Sequence, residues 1–140
     1  MELIKEAYIK DNLPANWKPY YIFSIQVNNQ KVGKIVLRKG TIEERYFDGH
    51  IGYSVEKNYR GHGYAYLATV ELLRIARKMG FKELIITCSP DNLASKKTIL
   101  KLPVKYLETV VIPRKYHQNF KPDERIKEVY LIELEKGKIE

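Results

Sequence analysis

Hydrophobic and polar positions alternate through much of the first third of the chain, which predicts β-strands. β-branched and aromatic residues are concentrated in the same stretches, as expected of strands. The turn residues Asn28-Asn29-Gln30 separate two of these stretches and predict a hairpin. We therefore expect strands at Leu3–Ile9, Tyr20–Val27, Val32–Leu37 and His50–Val55.

The pattern changes to a helical period after residue 61. Six apolar residues form one stripe of a predicted helix at 62–79, and Gly80 ends it; they are Ala65, Ala68, Leu72, Ile75, Ala76 and Met79. The apolar run Leu84–Cys88 that follows is typical of a strand buried on both faces. Strand, helix and strand in this order predict a crossover between parallel strands, with the turn before the helix at the ligand-binding edge of the sheet.

The remainder of the chain predicts one more helix and two more strands. The helix runs from Leu93 to about Leu102, capped by Asp91 or Asn92, and strands follow at Tyr106–Ile112 and Ile126–Leu134. The fold class is therefore α+β, with a mixed, mostly antiparallel sheet of about seven strands, a central β-α-β crossover and flanking helices. We expect residues 1–140 to form one domain.

The composition is that of a globular protein, with 44% hydrophobic and 30% charged residues. Cys88 is the one cysteine, which excludes an intramolecular disulfide and argues against a cysteine-based metal site. No apolar run is long enough to cross a bilayer, and we expect a soluble, cytoplasmic protein without a bound metal.

A net charge of +8, from 25 Lys and Arg against 17 Asp and Glu, raises the possibility of a polyanionic partner. The lysines are spread along the chain, and neither a basic helix nor an aromatic and basic module is present. This distribution favours a phosphate-bearing cofactor, or a general contribution to solubility, over nucleic-acid binding.

The glycine-rich stretch at residues 58–65 joins the fourth strand to the first helix. Gly61 and Gly63 let backbone N–H groups approach a ligand, and the helix start together with Arg60 favours an anion such as a pyrophosphate. A turn without a ligand is the alternative. A dinucleotide-binding fingerprint would need a third glycine where Tyr66 stands, and a Walker loop would need a Gly-Lys-Ser/Thr that is missing.

The run Arg60-Gly61-His62-Gly63-Tyr64-Ala65 resembles the Arg/Gln-x-x-Gly-x-Gly/Ala signature of the GNAT superfamily of N-acetyltransferases. The resemblance covers about residues 20 to 112. Asn92 and Ser95 look like the second motif of the superfamily, and the runs Gly49–Tyr53 and Thr87-Cys88 resemble a subgroup of predicted acetyltransferases. The resemblance implies that acetyl-CoA (coenzyme A) is bound by the residues of both motifs.

The resemblance also implies roles in catalysis and in cofactor binding. The N–H of Val55 would polarise the thioester carbonyl. His50 would deprotonate the amine, and Glu56 and Asp48 are also near enough in sequence; alternatively His50 is a structural histidine and the amine loses its proton to a water chain or to solvent. The tyrosine that the family commonly uses as an acid is replaced by Ile99, so Tyr106 is the substitute candidate. Lys96 and Lys97 would meet the 3′-phosphate of CoA or lie on a solvated helical face, and Cys88 is expected to be a small buried thiol.

Two further segments could contribute to the acceptor side. The acidic connector with Glu43, Glu44 and Asp48 would recruit a cationic amine, or is a solvated turn. The segment Pro113–Pro122 would cover the acceptor site, form a homodimer contact or be an exposed connector. The expected function is acetyl-CoA-dependent transfer of an acetyl group to a primary amine of a small molecule or peptide within a ternary complex. A non-catalytic acyl-CoA-binding module of the same fold is the alternative.

Overall fold

The computed structural model describes residues 1–15 and 17–134. Both helices and all seven strands predicted from the pattern are present within these residues, and the α+β class is confirmed. The strands are β1 (Glu2–Ile9), β2 (Tyr20–Val27), β3 (Gln30–Arg38), β4 (Ile51–Val55), β5 (Glu83–Cys88), β6 (Val104–Val111) and β7 (Ile126–Glu133). The helices are α1 (Tyr64–Lys78) and α2 (Leu93–Leu100), with short 3-10 helices at Lys57–Tyr59 and Arg114–Asn119.

The strands form two sheets. The first has the order β1-β2-β3-β4 and the second β5-β7-β6, with antiparallel neighbours throughout. The hairpin between β2 and β3 turns at Asn28 and Asn29, whose φ angles of 51° and 66° match the left-handed conformation of a tight hairpin turn.

The predicted crossover from β4 through α1 to β5 separates the two sheets. β4 and β5 meet where the His50 N–H donates to the Ile85 carbonyl at 2.8 Å, and beyond that point they do not pair. The predicted mixed sheet is therefore divided by a splay, which we define as the gap between β4 and β5.

The core lies between one face of both sheets and the two helices. Ile35 and Leu37 of β3 pack with Leu72 of α1, and Ile86 of β5 packs with Ile99 of α2 in the same cluster. Because strand side chains alternate, Val36 and Arg38 lie on the opposite sheet face. None of the described helices is long and apolar enough to cross a membrane.

Candidate functional site

The backbone of β4 presents hydrogen-bond donors to the splay. Arg38 N–H donates to His50 O at 2.7 Å, and Glu56 N–H donates to Val32 O at 2.8 Å. The even-numbered residues of β4 therefore bond to β3, and the N–H groups of Tyr53 and Val55 point away from it. The Val55 amide, predicted as the donor to a carbonyl, thus faces the splay.

The glycine-rich loop leaves the start of α1 open. Gly61 and Gly63 have φ angles of 88° and 76°, a region that favours glycine. A Cβ added at either position would meet nothing within 4 Å. The first bond of α1 is from Leu67 N–H to Gly63 O at 3.0 Å, so the N–H groups of residues 64–66 precede any intrahelical partner. The first turn carries no acidic side chain, and these donors suit an anion.

Arg60, His62 and Tyr64 lie around this loop. Arg60 is exposed, and its Nε donates to the Val55 carbonyl at 2.9 Å, which ties the loop to the end of β4. The rings of His62 and Tyr64 lie with their centroids 5.4 Å apart. The predicted pyrophosphate loop and the predicted carbonyl donor are therefore neighbours in space.

The second motif forms a hydroxyl pair beside the splay. Asn92 caps α2, since its Oδ1 accepts from the Ser95 N–H at 3.2 Å. The Ser95 hydroxyl lies 2.8 Å from the hydroxyl of Tyr53 on β4. Burial raises the pKa of Tyr53, so this phenol remains protonated. Tyr53 was not singled out as a catalytic group from the sequence, although its alternation with Val55 on β4 is visible there.

The other predicted residues of α2 have different environments. Ile99, at the position of the usual family tyrosine, is 0% exposed and belongs to the core. Lys97 is exposed and is free to reach a phosphate. Lys96 is instead paired with Glu128 on β7 at 3.2 Å.

Both ring nitrogens of His50 are hydrogen-bonded to backbone groups, so neither is free to act as a base. His50 is 1% exposed. Its Nδ1 accepts from Ile85 N–H at 2.9 Å, so Nε2 carries the proton and donates to Gly40 O at 2.9 Å. The ring thereby fastens β4 to β5 and to the connector after β3. This geometry favours the structural histidine over the predicted base.

Tyr106 does not reach the splay. It is 55% exposed, and its hydroxyl lies 2.7 Å from that of Thr109 on the same strand. β7 lies between β6 and β5, which puts Tyr106 roughly 10 Å from β5 at ~4.8 Å per strand. The predicted replacement acid is therefore not placed beside the Val55 amide.

Cys88 is buried at the end of β5, as expected of a small buried thiol. Its Sγ contacts Glu128 Oε1 at 3.7 Å, and the Tyr130 hydroxyl donates to the same oxygen at 3.1 Å. Burial is the main cause that raises the pKa of Cys88 to about 11. The thiol is therefore protonated at neutral pH and is a poor nucleophile.

Acidification is expected to lower the stability of the protein through His50. Burial lowers the pKa of His50 below its ordinary value of 6.5, so below that pH the unfolded chain takes up a proton that the folded protein does not. The free energy of unfolding then decreases as the pH is lowered, by at most about 1.4 kcal/mol per pH unit from this group. Urea unfolding at a series of pH values measures the slope. The variant His50→Gln should lose this component, and an unchanged slope would contradict the assignment.

A cleft of about 650 Å³ adjoins the splay. It reaches Tyr53 and Ser95 and extends between the acidic connector and the segment Pro113–Pro122. The lining includes Trp17, Tyr20, Arg38, Glu43, Glu44, Asp48, Ile86, Thr87, Tyr116, Asn119 and Phe120. The two segments of unassigned role are thus brought together around one opening.

Three ion pairs lie along the cleft wall. Lys18 pairs with Glu44 at 3.0 Å, Arg45 with Asp48 at 2.9 Å, and Lys127 with Glu124 at 3.0 Å. Burial is the main cause that raises the pKa of Asp48. Much of the acidic connector is therefore already neutralised by neighbouring cations.

Comparison of the fold with solved structures gives similar proteins of low sequence identity. The microcin C7 self-immunity acetyltransferase MccE, solved with acetyl-CoA and AMP, is 19% identical, with 81% of this chain and 61% of that chain covered and a TM-score of 0.62. RimL, a ribosomal L7/L12 alpha-N-protein acetyltransferase solved with coenzyme A, is 17% identical, with 81% and 62% covered and a TM-score of 0.64.

A GNAT-family acetyltransferase from Bacillus anthracis is 22% identical, with 84% of this chain and 67% of that chain covered and a TM-score of 0.62. This chain spans about six tenths of the length of MccE and of RimL. At this level of identity, the likeness shows the fold alone. The search of curated proteins found no match.

A protein-family model described as "Acetyltransferase (GNAT) domain" matches residues 3–104. The match includes β1 except its first residue, β2 to β5, α1, α2 and both motifs. It therefore covers the glycine-rich loop, the Val55 amide and the Tyr53–Ser95 pair together. The chain belongs to the GNAT acetyltransferase family.

Proposed function

We propose that the protein is an acetyl-CoA-dependent N-acetyltransferase that acetylates a primary amine of a small molecule or peptide within a ternary complex. The proposal rests mainly on one observation: the splay and the cleft open onto the same place, at the Tyr53–Ser95 pair. The splay has free β4 donors beside the glycine-rich loop, and the cleft adjoins it. A site of this shape can hold a cofactor and an acceptor at the same time.

The residues around the splay fit acetyl-CoA, which would supply the acetyl group as an activated thioester. The N–H groups of residues 64–66 would hold the pyrophosphate, and Gly61 and Gly63 keep the approach free of side chains. Lys97 is placed on the exposed side of α2, where its charge suits a further phosphate. Asn92 acts on this half of the site by fixing the start of α2.

The groups at the junction suit acyl transfer. The Val55 N–H is oriented to donate to the oxygen that gains charge in the transition state. The Tyr53 hydroxyl holds a proton beside Ser95, and this proton would neutralise the departing thiolate as the carbon–sulfur bond breaks and the carbon–nitrogen bond forms. The hydroxyl pair would thereby take the place of the tyrosine replaced by Ile99.

The ammonium group of the acceptor would lose its proton to water in the open cleft. A lysine-like amine has a reference pKa of about 10.4, so only a small fraction is neutral at pH 7. His50 has both ring nitrogens engaged by backbone groups and is not used as a base in this proposal. The rate should therefore rise with pH towards the pKa of the amine, without a step near 6.5.

The binding module is the second candidate, favoured by the core position of Ile99. Calorimetry with acetyl-CoA tests what both candidates share, and no saturable binding at about 1 mM would contradict both. Thiol release measured over a panel of primary amines then separates them. Turnover with any amine supports the enzyme, whereas cofactor binding without turnover supports the module.

Replacing Tyr53 by phenylalanine is expected to lower kcat about 100-fold while the Kd for acetyl-CoA stays unchanged, because loss of a positioned proton donor has an effect of that order. The ring is retained, so packing is conserved. Thiol-release kinetics and calorimetry measure the two quantities. Tyr106→Phe is the matched control, since it removes an exposed hydroxyl from β6 and should leave kcat unaltered. Equal losses in both variants would contradict the role of Tyr53.

A further inference from the structure

The charged residues that line the cleft are not all paired. Besides the three ion pairs along its wall, the lining includes Arg38 and Glu43. Neither has an ion-pair partner among residues 1–15 and 17–134. Glu43 is exposed at the rim, whereas Arg38 is half-buried. Among the described residues, the cleft lining thus includes one cation and one carboxylate that form no ion pair.

Within the described part of the chain, the side-chain hydrogen bonds of Arg38 go to backbone carbonyls. Its Nη1 donates to Asp48 O at 3.3 Å and to Gly49 O at 3.2 Å. The guanidinium lies directly over Gly52 of β4, where an added Cβ would be 2.8 Å from Nη2. Because Gly52 has no side chain, the guanidinium can lie against β4, the strand that also includes Val55. It lies on the sheet face opposite α1.

A guanidinium whose hydrogen bonds go to carbonyl oxygens retains several N–H donors for a ligand, and the nearby carboxylate of Asp48 is already paired with Arg45. Arginine is suited to carboxylate and phosphate groups because its donors match their geometry. We propose that Arg38 binds an anionic group on the acceptor, so that the acetylated amine belongs to a molecule that also carries a carboxylate or phosphate. This inference rests on the proposed function of the same site.

The distance between the two groups follows from β4. Gly52 and Val55 are three residues apart, which corresponds to roughly 10 Å along a strand. The anionic group at Arg38 and the nitrogen that reacts near the Val55 amide would be separated by about the same distance. An α-amino acid acetylated on its α-nitrogen is too short, whereas an extended side-chain amine or peptide amine has the required length.

A series of acceptors of increasing length tests this inference by thiol-release kinetics. Glycine, 4-aminobutanoate and 8-aminooctanoate are compared with octylamine, which lacks the anionic group, and with 6-aminohexyl phosphate, which carries a phosphate at similar reach. We expect KM to be at least 10-fold lower for 8-aminooctanoate or 6-aminohexyl phosphate than for octylamine. Which of the two is preferred identifies the anion as carboxylate or phosphate.

The variant Arg38→Met should raise KM for the preferred anionic acceptor at least 10-fold and leave KM for octylamine within about twofold. Arg38→Lys, which retains the charge, should keep part of the preference. Lys34→Met is the control, because Lys34 lies on the same face of β3 but outside the cleft. The measurement with octylamine distinguishes loss of anion binding from misfolding, because misfolding would impair turnover of both acceptors alike.

Each other outcome contradicts a stated claim. Equal KM values for octylamine and the long anionic acceptors, or a preference that survives in Arg38→Met, would overturn the inference about Arg38 and leave the proposed function standing. A preference for glycine would overturn the distance. Absence of turnover with every acceptor would overturn the proposed function and this inference together.

Discussion

Replacing Gly63 by valine is expected to weaken acetyl-CoA binding at least about 100-fold, or about 2.7 kcal/mol. Gly63 precedes α1 with a φ of 76° and faces open space. A branched side chain there would cover the N–H groups that the proposal assigns to the pyrophosphate, and the left-handed backbone would add a strain of about 1–2 kcal/mol. Calorimetry with acetyl-CoA measures the affinity, and urea unfolding measures the strain separately.

Gly80→Val is a matched control for this experiment. Gly80 follows the other end of α1, with a φ of 98° and nothing within 4 Å of an added Cβ. Both variants should therefore lose a similar amount of stability, but Gly80→Val should bind acetyl-CoA as the wild type does. Equal affinities in the two variants would contradict the assignment of the anion site to the glycine-rich loop.

Replacing His50 by phenylalanine is expected to lower the free energy of unfolding by about 2–6 kcal/mol. The substitution leaves Ile85 N–H and Gly40 O without their partners, and each buried polar group without a hydrogen bond costs about 1–3 kcal/mol. Urea unfolding at neutral pH measures the change. Removing a catalytic base would instead reduce kcat with little effect on stability.

His62→Phe is the control for that measurement, because His62 is exposed and its ring lies beside the ring of Tyr64. It should change the free energy of unfolding by less than about 0.5 kcal/mol. If His50→Phe were as stable as His62→Phe, His50 would not fasten β4 to β5. The base assignment would then have to be reconsidered.

The predictions for Gly63 and His50 concern the two ends of the splay. His50 holds β4 and β5 together at the point from which they diverge, and the glycine-rich loop lies beyond the other end of β4. Between them, the Tyr53 and Val55 amides are released from sheet pairing. The splay therefore depends on a histidine at its closed end and provides the donors that the proposed chemistry requires at its open end.

The sequence determined the elements and the glycine-rich loop that we propose as the cofactor half of the site. Alternation at period two and the stripe along α1 are local properties, and they depend on which face of each element is buried. The glycine-rich loop could also be recognised from residues close in sequence, because its properties follow from missing side chains and from the start of the helix. The Val55 amide followed from the resemblance, and its direction agrees with the register of β3 and β4.

Only the tertiary structure decided the roles of residues that meet across the fold. His50 and Ile85 are 35 positions apart, and Tyr53 and Ser95 are 42, so no local pattern reveals that one pair fastens the splay and the other joins two hydroxyls. The surroundings of Tyr106 and Arg38 were likewise not readable. A side chain's hydrogen-bond partners and burial set its protonation and its freedom to bind a ligand, and both are properties of distant segments brought together.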